Sequence, residues 1–493
     1  MNMLMALLGG SAVLHGQTRG ENWKRCGGND PDRAIEACSA LIQSGQDTGI
    51  NLAKAFNYRG SAYLKKGDYD HAIQDSDQAL RLNPNSDEAF YNRGRAYAHK
   101  GDDDRAIPDY DHALRVNPSL ANAFHGRGAA YARKGDDDRA IPDYDQALRL
   151  NPSLANALYD RGLAYAHKGD SDHAIQDYDQ ALRLSPAFAN AFYARGLAYA
   201  HKGDYDHSIQ DYDQTLRINP GYADALVGRA DAFQRKGNYD HAIQDYDQSL
   251  RPNPGFWDVF YGRGNAYAGK GDYDRAIQDY DRALQLKSNS AEVLVMRGLA
   301  HTRKGNYDGA IQDFDQGLRL KPNSAAAFYD RARAYAYEDD YGRAIRDYHD
   351  ALRLTPGDAD ALYGRGLAFS RIGKHTLAIQ DCDRTLQFNP TYAAALINRG
   401  VEYARRGDYD RAIEYYDQAI RLNAHLVDAY HDRGLAYARK GEYFRAMADH
   451  GHFLWLKFGI LGITIRVCLL VLAVALGFVF KRFRKGLMRG QQY

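Results

Sequence analysis

The amino-acid sequence predicts an all-α protein built as a solenoid of stacked helix pairs, with a transmembrane helix close to its C-terminus. Three observations lead to this fold class. Glycine recurs every 34 residues, apolar residues recur at helical spacing on both sides of each glycine, and an apolar run occupies residues 458–480. A fixed period of this length is typical of architectures in which each unit buries its apolar face only against its neighbours.

The composition is that of a folded protein. The chain has 493 residues, of which 45% are hydrophobic and 26% are charged, and its formal net charge is +1. This balance provides ample apolar material for a core, and the lack of a basic excess gives no reason to expect a nucleic-acid partner.

The repeat can be followed position by position when Ala53 is taken as position 1. Glycine stands at position 15 from Gly67 onward, and only Asp339 replaces it. Small residues at positions 8 and 20 allow two helices to approach closely, and proline at position 32 stops the second helix. Segments 157–169 and 172–184 each carry apolar residues at helical spacing. Twelve copies therefore fill residues 53–457.

This pattern resembles the tetratricopeptide repeat, in a bacterial membrane-anchored type, and the resemblance covers residues 53 to about 458. It implies two antiparallel helices per unit, stacked into a right-handed solenoid. It also implies that positions 2, 5, 9, 12 and 13 of each first helix line an inner groove.

The three aspartates Asp136, Asp137 and Asp138 raise the question of a metal site, because carboxylates are the ligands that calcium and magnesium take. The run lacks the glycine and glutamate spacing of a calcium loop, and Arg139 follows it directly. We interpret these residues as capping the start of a second helix, where negative charge is favourable. No metal site and no cofactor are expected.

Charged residues at matched positions predict ion pairs. Arginine stands at position 7 of every copy and an acidic residue at position 23 of nearly every copy, which predicts a pair between Arg127 and Asp143. Asp145 is followed by Arg149 at i+4, a helix-surface pair. Pro142, like Pro108, lies about one turn into a second helix, where it is either tolerated or bends the helix.

The groove positions vary between copies and carry tyrosine, arginine, histidine and asparagine, which suit an extended peptide. The alternative is that many of these side chains simply face water. The family's carboxylate clamp is not expected, because no copy has lysine at position 5. The candidate groove residues are Tyr91, Arg95, His125, Arg133, Tyr159, Tyr193, Tyr261, Tyr329, Arg333 and Tyr363.

Catalysis finds no support in the sequence. It contains no nucleophile elbow, phosphate loop, Cys-x-x-Cys pair or His-Glu-x-x-His helix. Seven of the seventeen histidines fall at positions 13 and 19, where they alternate with arginine or lysine, and we interpret the histidines as solvated surface. We predict a protein that is not an enzyme and has no small-molecule substrate.

The N-terminal part outside the repeats contains two further predictions. Residues 1–17 have an apolar stretch without a basic start, which makes them a weak signal segment. Residues 18–52 contain Asp-Arg-Ala-Ile, like a second helix, and are predicted to form a half-repeat cap. Cys26 and Cys38 lie there and are the one plausible disulfide, which would imply an oxidising compartment.

The C-terminal part predicts a membrane anchor. Residues 458–480 span about 35 Å as a helix, enough to cross a bilayer, and the basic residues of 481–493 place that tail in the cytoplasm. The repeats are then periplasmic, at a bacterial inner membrane; the alternative is cytoplasmic repeats with a tail anchor. We also predict one nearly unbroken helix from about Tyr443 to Phe480, with Gly451 as its weak point and with Trp455 and Lys457 at the interface.

The leading functional hypothesis is a membrane-anchored scaffold that binds a protein or peptide partner in its groove. An alternative is a structural or assembly subunit of a bacterial envelope complex that uses its outer face. A third class, an enzyme, would need a unique constellation of polar residues.

Overall fold

The computed structural model describes residues 18–252 and 254–458. Backbone contacts divide the chain into two compact units, Met1–Ser249 and Leu250–Tyr493. The predicted signal segment 1–17, the apolar run beyond Phe458 and the basic tail 481–493 lie outside the described residues. Within the described residues, no helix combines the length and the apolar character that a membrane crossing requires.

The described residues form tandem α-helices, as predicted. In chain order the helices are α1 Arg19–Cys26, α2 Pro31–Ser44, α3 Gly49–Lys66, α4 Tyr69–Leu82, α5 Asp87–His99, α6 Asp103–Val116, α7 Ala121–Arg133, α8 Asp137–Leu150, α9 Ala155–His167, α10 Ser171–Leu184, α11 Ala189–His201, α12 Tyr205–Ile218, α13 Ala223–Arg235, α14 Tyr239–Leu250, α15 Trp257–Lys270, α16 Tyr273–Leu286, α17 Ala291–Lys304, α18 Tyr307–Leu320, α19 Ala325–Tyr337, α20 Tyr341–Leu354, α21 Ala359–Arg371, α22 His375–Phe388, α23 Ala393–Arg405, α24 Tyr409–Leu422, α25 Val427–Lys440 and α26 Tyr443–Phe458.

Each 34-residue copy forms one helix pair, and within each unit the pairs stack on their neighbours. In the third copy α7 packs against α8, and α8 packs against α9 of the following copy. The buried side chains are alanines at the helix crossings and tyrosines such as Tyr144, which is 1% exposed. Because the core lies between neighbouring pairs, no pair could bury its apolar face alone.

The turn between the two helices depends on position 15. Gly67 has φ +80°, in the left-handed region that glycine adopts without steric cost. Asp339 occupies the same place with φ +60° and is the one residue other than glycine with positive φ among the described residues. An L side chain is disfavoured in this region, so repeat nine contains a locally strained turn.

Asp136 caps the second helix of repeat three, as predicted. Its side chain accepts a hydrogen bond from the backbone N–H of Arg139, with an N–O distance of 3.0 Å. The next two aspartates bind the following repeat instead. Asp138 forms an ion pair with Lys168, and Asp137 lies 3.6 Å from the Nδ1 atom of His167. The run is therefore one cap followed by two links between repeats.

The predicted pair between Arg127 and Asp143 is confirmed. The guanidinium donates two hydrogen bonds to the carboxylate, from Nε at 2.8 Å and from Nη2 at 2.6 Å. Its Nη1 atom also donates to Asp111 of the preceding repeat, at 2.5 Å. The prediction of a surface pair between Asp145 and Arg149 is wrong. Asp145 instead accepts a hydrogen bond from Arg161 of the next repeat.

Pro142 does not interrupt α8, and Pro108 does not interrupt α6. Both helices have fourteen residues, the same length as α10, which has no proline. The interior prolines are therefore tolerated, although each removes one backbone donor from its helix.

The segment before the repeats is more than the predicted half-repeat. It contains the short helix α1 as well as α2, which corresponds to a second helix. Cys26 at the end of α1 and Cys38 inside α2 are joined by a disulfide and are almost fully buried. The disulfide thus fixes a shortened first helix to its partner.

The last second helix, α26, is longer than the others and passes through Gly451 without a break. The predicted continuous helix is confirmed as far as Phe458, and its continuation to Phe480 lies outside the described residues. Trp455 is 48% exposed on this helix, and Phe444 is 93% exposed.

Candidate functional site

First helices of three consecutive repeats line a concave pocket in the first unit, which we call the repeat 2–4 pocket. Its volume is about 570 Å³. Four of the predicted groove residues meet there with other first-helix side chains and one tyrosine of a second helix. The lining residues are Tyr91, Arg95, Ala98, His99, Tyr110, Asn122, His125, Gly126, Ala129, Arg133 and Asn156.

Tyr91 and Arg95 form one wall of the repeat 2–4 pocket. They stand one turn apart on α5, and the guanidinium carbon of Arg95 lies 5.6 Å from the centre of the Tyr91 ring. Burial raises the pKa of Tyr91, so its hydroxyl remains protonated and can donate a hydrogen bond. Among the described residues, no carboxylate is in ion-pair contact with Arg95, and none lines the pocket.

His125 and Arg133 line the pocket from α7, and both have acidic partners. The Nε2 atom of His125 lies 2.7 Å from a carboxylate oxygen of Asp160. Arg133 donates two hydrogen bonds to Asp103 of the preceding repeat, at 3.0 Å and 2.6 Å. The charge of Arg133 is thus already balanced, whereas that of Arg95 is not.

His99 also lines the repeat 2–4 pocket. Its ring stacks on Tyr69 with a centroid distance of 5.1 Å. Burial lowers the pKa of His99, and the positive charges of Arg95 and Arg133 lower it further. The lowered pKa favours the neutral form of the His99 ring in the pocket.

Asparagine amides and a glycine complete the repeat 2–4 pocket. Asn122 and Asn156 are exposed at position 2 of successive repeats, and neither amide has a hydrogen-bond partner among the described residues. A β-carbon at Gly126 would lie 2.8 Å from the Tyr110 ring. The absence of that atom gives Tyr110 room at the base of the pocket.

The two other predicted groove residues of the first unit lie outside the lining of the repeat 2–4 pocket. Tyr159 packs against Phe188 with ring centroids 4.9 Å apart, and Tyr193 packs against Tyr222 at 5.1 Å. Each tyrosine therefore contacts the residue that precedes the next first helix. These contacts leave the rings half-buried rather than freely solvated.

The remaining predicted residues belong to the second unit. The Tyr261 hydroxyl donates to Glu292 at 3.0 Å, and Tyr363 packs against Tyr392 with ring centroids 5.2 Å apart. The Arg333 guanidinium lies 5.6 Å from the centre of the Tyr329 ring. Its Nη1 atom is 3.6 Å from a carboxylate oxygen of Asp330.

One cluster of polar residues was missed by the sequence analysis. Glu402 is fully buried, and its carboxylate accepts a hydrogen bond from Ser370 at 2.5 Å. It also lies 2.6 Å from the Nδ1 atom of His375 and 3.6 Å from Arg405. Position 10 is alanine in every other copy, and this was the signal that could have identified the cluster.

Two further predictions from the sequence are that there is no metal site and that the histidines are solvated surface. Over residues 18–252 and 254–458, no three histidine, cysteine or acidic side chains are grouped as a metal site requires. His173 is exposed but stacks on Tyr165 at 5.0 Å and contacts the capping Asp170 at 2.6 Å. Histidines at this position thus take part in the helix start.

The fold defines a class of protein, a scaffold of tandem helical repeats. The "Tetratricopeptide repeat" family model matches residues 125–187, 159–223, 193–256, 227–291, 261–325 and 329–393. A second model, "TPR repeat", matches residues 60–101, 94–135 and 400–441. The first model alone accounts for more than half of the chain. The protein belongs to the tetratricopeptide repeat family, which is generally a non-enzymatic scaffold fold that supports protein–protein interaction.

Solved structures with detectable similarity are also repeat proteins. A tetratricopeptide repeat protein from Parabacteroides merdae is 24% identical, with 50% of this chain and 98% of that chain covered and a TM-score of 0.39. A MamA structure is 29% identical over 34% of this chain and 96% of its own, with a TM-score of 0.31. YrrB, described as a TPR protein with an unusual peptide-binding site, is 23% identical over 39% and 97%, with a TM-score of 0.34. Comparison with curated proteins gives no match.

Proposed function

We propose that this protein is a membrane-anchored scaffold that binds an extended segment of a partner protein along the first helices of its repeats. The observation that carries the proposal is the repeat 2–4 pocket, where side chains at positions 2, 5, 9 and 13 of consecutive repeats converge. Because the same positions recur every 34 residues, a segment lying along the first helices would meet the same set of positions in each repeat, with side chains that vary between copies.

The chemistry of these positions suits an extended chain. Tyrosine offers a large contact area at low entropic cost, and Tyr91, Tyr159 and Tyr193 repeat it in the first unit. The exposed amides of Asn122 and Asn156 can donate to and accept from a peptide backbone. This combination gives general affinity for a backbone together with pockets for individual side chains.

The apolar run 458–480 supports the membrane part of the proposal. Its length is sufficient for one crossing, and α26 leads into it as a helix at Phe458. The disulfide between Cys26 and Cys38 supports an oxidising location for the repeats, on the outer side of a bacterial inner membrane. The basic tail 481–493 then lies in the cytoplasm.

Photo-crosslinking in intact cells tests the binding face. A crosslinking amino acid replaces Tyr159 on the first helix α9 or, as a matched control, Gln180, which is exposed on the second helix α10 of the same repeat. We expect a captured protein partner from position 159 and none from position 180. Capture from position 180 alone would instead support an assembly subunit that uses its outer face.

Membrane extraction tests the anchor. The full chain and a variant that ends at residue 457 are expressed in a bacterial host and fractionated at alkaline pH, which strips peripheral proteins. We expect the full chain to remain with the membrane and the shortened variant to be released. Release of both, or retention of both, would contradict anchoring by residues 458–480.

A further inference from the structure

Arg95 differs from Arg127 and Arg133 in its surroundings. Arg127 and Arg133 are each held by two hydrogen bonds to a carboxylate. The Arg95 guanidinium instead rests on the face of Tyr91, and no carboxylate of the described residues is in ion-pair contact with it. A half-buried guanidinium without a counter-ion is a ready partner for a carboxylate.

The second unit contains the same pair of side chains with the missing partner supplied. Tyr329 and Arg333 repeat the geometry of Tyr91 and Arg95, with the same distance of 5.6 Å from guanidinium to ring. There Asp330, at position 6, lies 3.6 Å from Arg333. The chain itself thus shows that this arrangement accommodates a carboxylate.

Repeat two has an uncharged residue at the corresponding position. Asn92 stands there and donates a hydrogen bond to Asn57 at 2.8 Å, so it places no charge beside Arg95. The lining of the repeat 2–4 pocket contains arginine, histidine, asparagine and tyrosine but no aspartate or glutamate. A carboxylate that binds Arg95 must therefore come from a ligand.

We propose that the repeat 2–4 pocket selects an acidic side chain, aspartate or glutamate, within the segment that the scaffold binds, and that Arg95 is the selecting residue. This inference rests on the proposed function, because it assigns one side chain of the bound segment. The Tyr91 hydroxyl and the amides of Asn122 and Asn156 are placed to bind the polar groups around that carboxylate.

The acidic group is internal to the segment rather than a chain end. Within the first unit, α3 and α4 precede the repeat 2–4 pocket, and α11 and α12 follow it. Groove positions continue in both directions, with Lys65 exposed at position 13 of α3 before the pocket and Tyr193 after it. A segment that uses this face can pass through the pocket, so no free C-terminus is required.

Peptide pools test the selection. The full-length protein in mild detergent is applied to immobilised nonapeptides, acetylated and amidated, in which the central residue is Asp, Glu, Asn or Gln and the others are mixed. We expect the acidic pools to retain about 10-fold to 100-fold more protein than the amide pools, as for a charge-assisted hydrogen bond of about 1.5–3 kcal/mol. Arg95→Leu should abolish this preference, and Arg95→Lys should retain part of it.

Arg115→Leu is the matched control for the Arg95 variants. Arg115→Leu removes the same charge from the same repeat at an exposed position of α6 outside the pocket lining, and it should leave the preference intact. Equal binding of acidic and amide pools by the unchanged protein, with weaker binding by Tyr159→Ala, would overturn the inference and leave the groove function standing. Binding that required a free C-terminal carboxylate would also overturn it. Binding of no pool would count against both proposals.

Discussion

The ion pair inside each repeat makes a quantitative prediction for Arg127→Ala. The Asp143 side chain is 7% exposed and that of Arg127 is 22% exposed, so the variant leaves a nearly buried carboxylate without its two hydrogen bonds. Hydrogen bonding to Asp143 also raises the pKa of the Arg127 guanidinium. Removal of one partner from a buried pair costs about 3–5 kcal/mol. Because Arg127 is partly solvated, we expect Arg127→Ala to lower the stability of its repeat by about 3 kcal/mol, the lower end of that range.

Repeat eleven provides a natural control. Tyr415 replaces the position-23 aspartate there, and the Arg399 guanidinium lies 4.3 Å from the centre of its ring. Arg399 also pairs with Asp383 at 2.8 Å, and the Asp383 side chain is 44% exposed. The Nε atom of Arg399 is buried without a hydrogen bond. Arg399→Ala uncovers no buried carboxylate, so it should cost at most about 1 kcal/mol, as exposed pairs do.

Hydrogen exchange measured by mass spectrometry is the suitable assay, since a repeat array can open locally without unfolding as a whole. The free energy of opening is compared for α7 and α8 in Arg127→Ala and for α23 and α24 in Arg399→Ala. We expect a loss in the first pair that is about three times that in the second. Equal losses, or none at α7 and α8, would refute the argument that the buried carboxylate determines the cost.

Three further predictions concern stability. Pro142→Gln restores a backbone donor inside α8 and should stabilise repeat three by about 1–3 kcal/mol, seen as slower exchange in α8. Burial raises the pKa of Asp330 to about 6, although Arg333 and Arg303 oppose the shift. The folded state then binds the proton more tightly than the unfolded state, so stability falls as the pH rises from about 4 to about 6, by up to about 3 kcal/mol. Asp330→Asn should remove that fall in the exchange of α19 and α20, and an unchanged pH profile would contradict the assignment. Glu402→Ala should destabilise α21 to α24 by about 2–4 kcal/mol, because Ser370 and His375 lose their shared acceptor. The combined change Ser370→Ala, His375→Tyr and Glu402→Ala, which restores residues common in other copies, should recover most of that loss.

The helix pairs and the ion pair between Arg127 and Asp143 could be predicted from the sequence, because both recur at fixed positions. The second ion pair of Arg127, with Asp111, could not be predicted from the sequence. Asp111 lies sixteen residues before Arg127, just as Asp143 lies sixteen residues after it. Helical periodicity describes contacts along one helix, whereas this contact depends on how successive repeats stack. The same reason explains why Asp145 binds Arg161 rather than Arg149.

The alternation of histidine and arginine at position 19 also has a structural cause. Arg139 lies 4.5 Å from the centre of the Tyr131 ring and contacts the capping Asp136. His173 makes the equivalent stacking and capping contacts. Both are flat groups that can donate a hydrogen bond while they stack, so either satisfies the position. The sequence showed the alternation but could not show the ring beneath it.

A departure from a repeat pattern indicates a binding site only when it leaves a polar group without a partner in the chain. Glu402 is a strong departure, yet Ser370 and His375 supply its hydrogen bonds, so that cluster needs no ligand. Arg95 departs from the pattern less visibly, but it has an aromatic ring beneath it and no carboxylate beside it among the described residues. Since an uncompensated charge gains most from a ligand of opposite charge, selectivity should reside at Arg95 and not at Glu402.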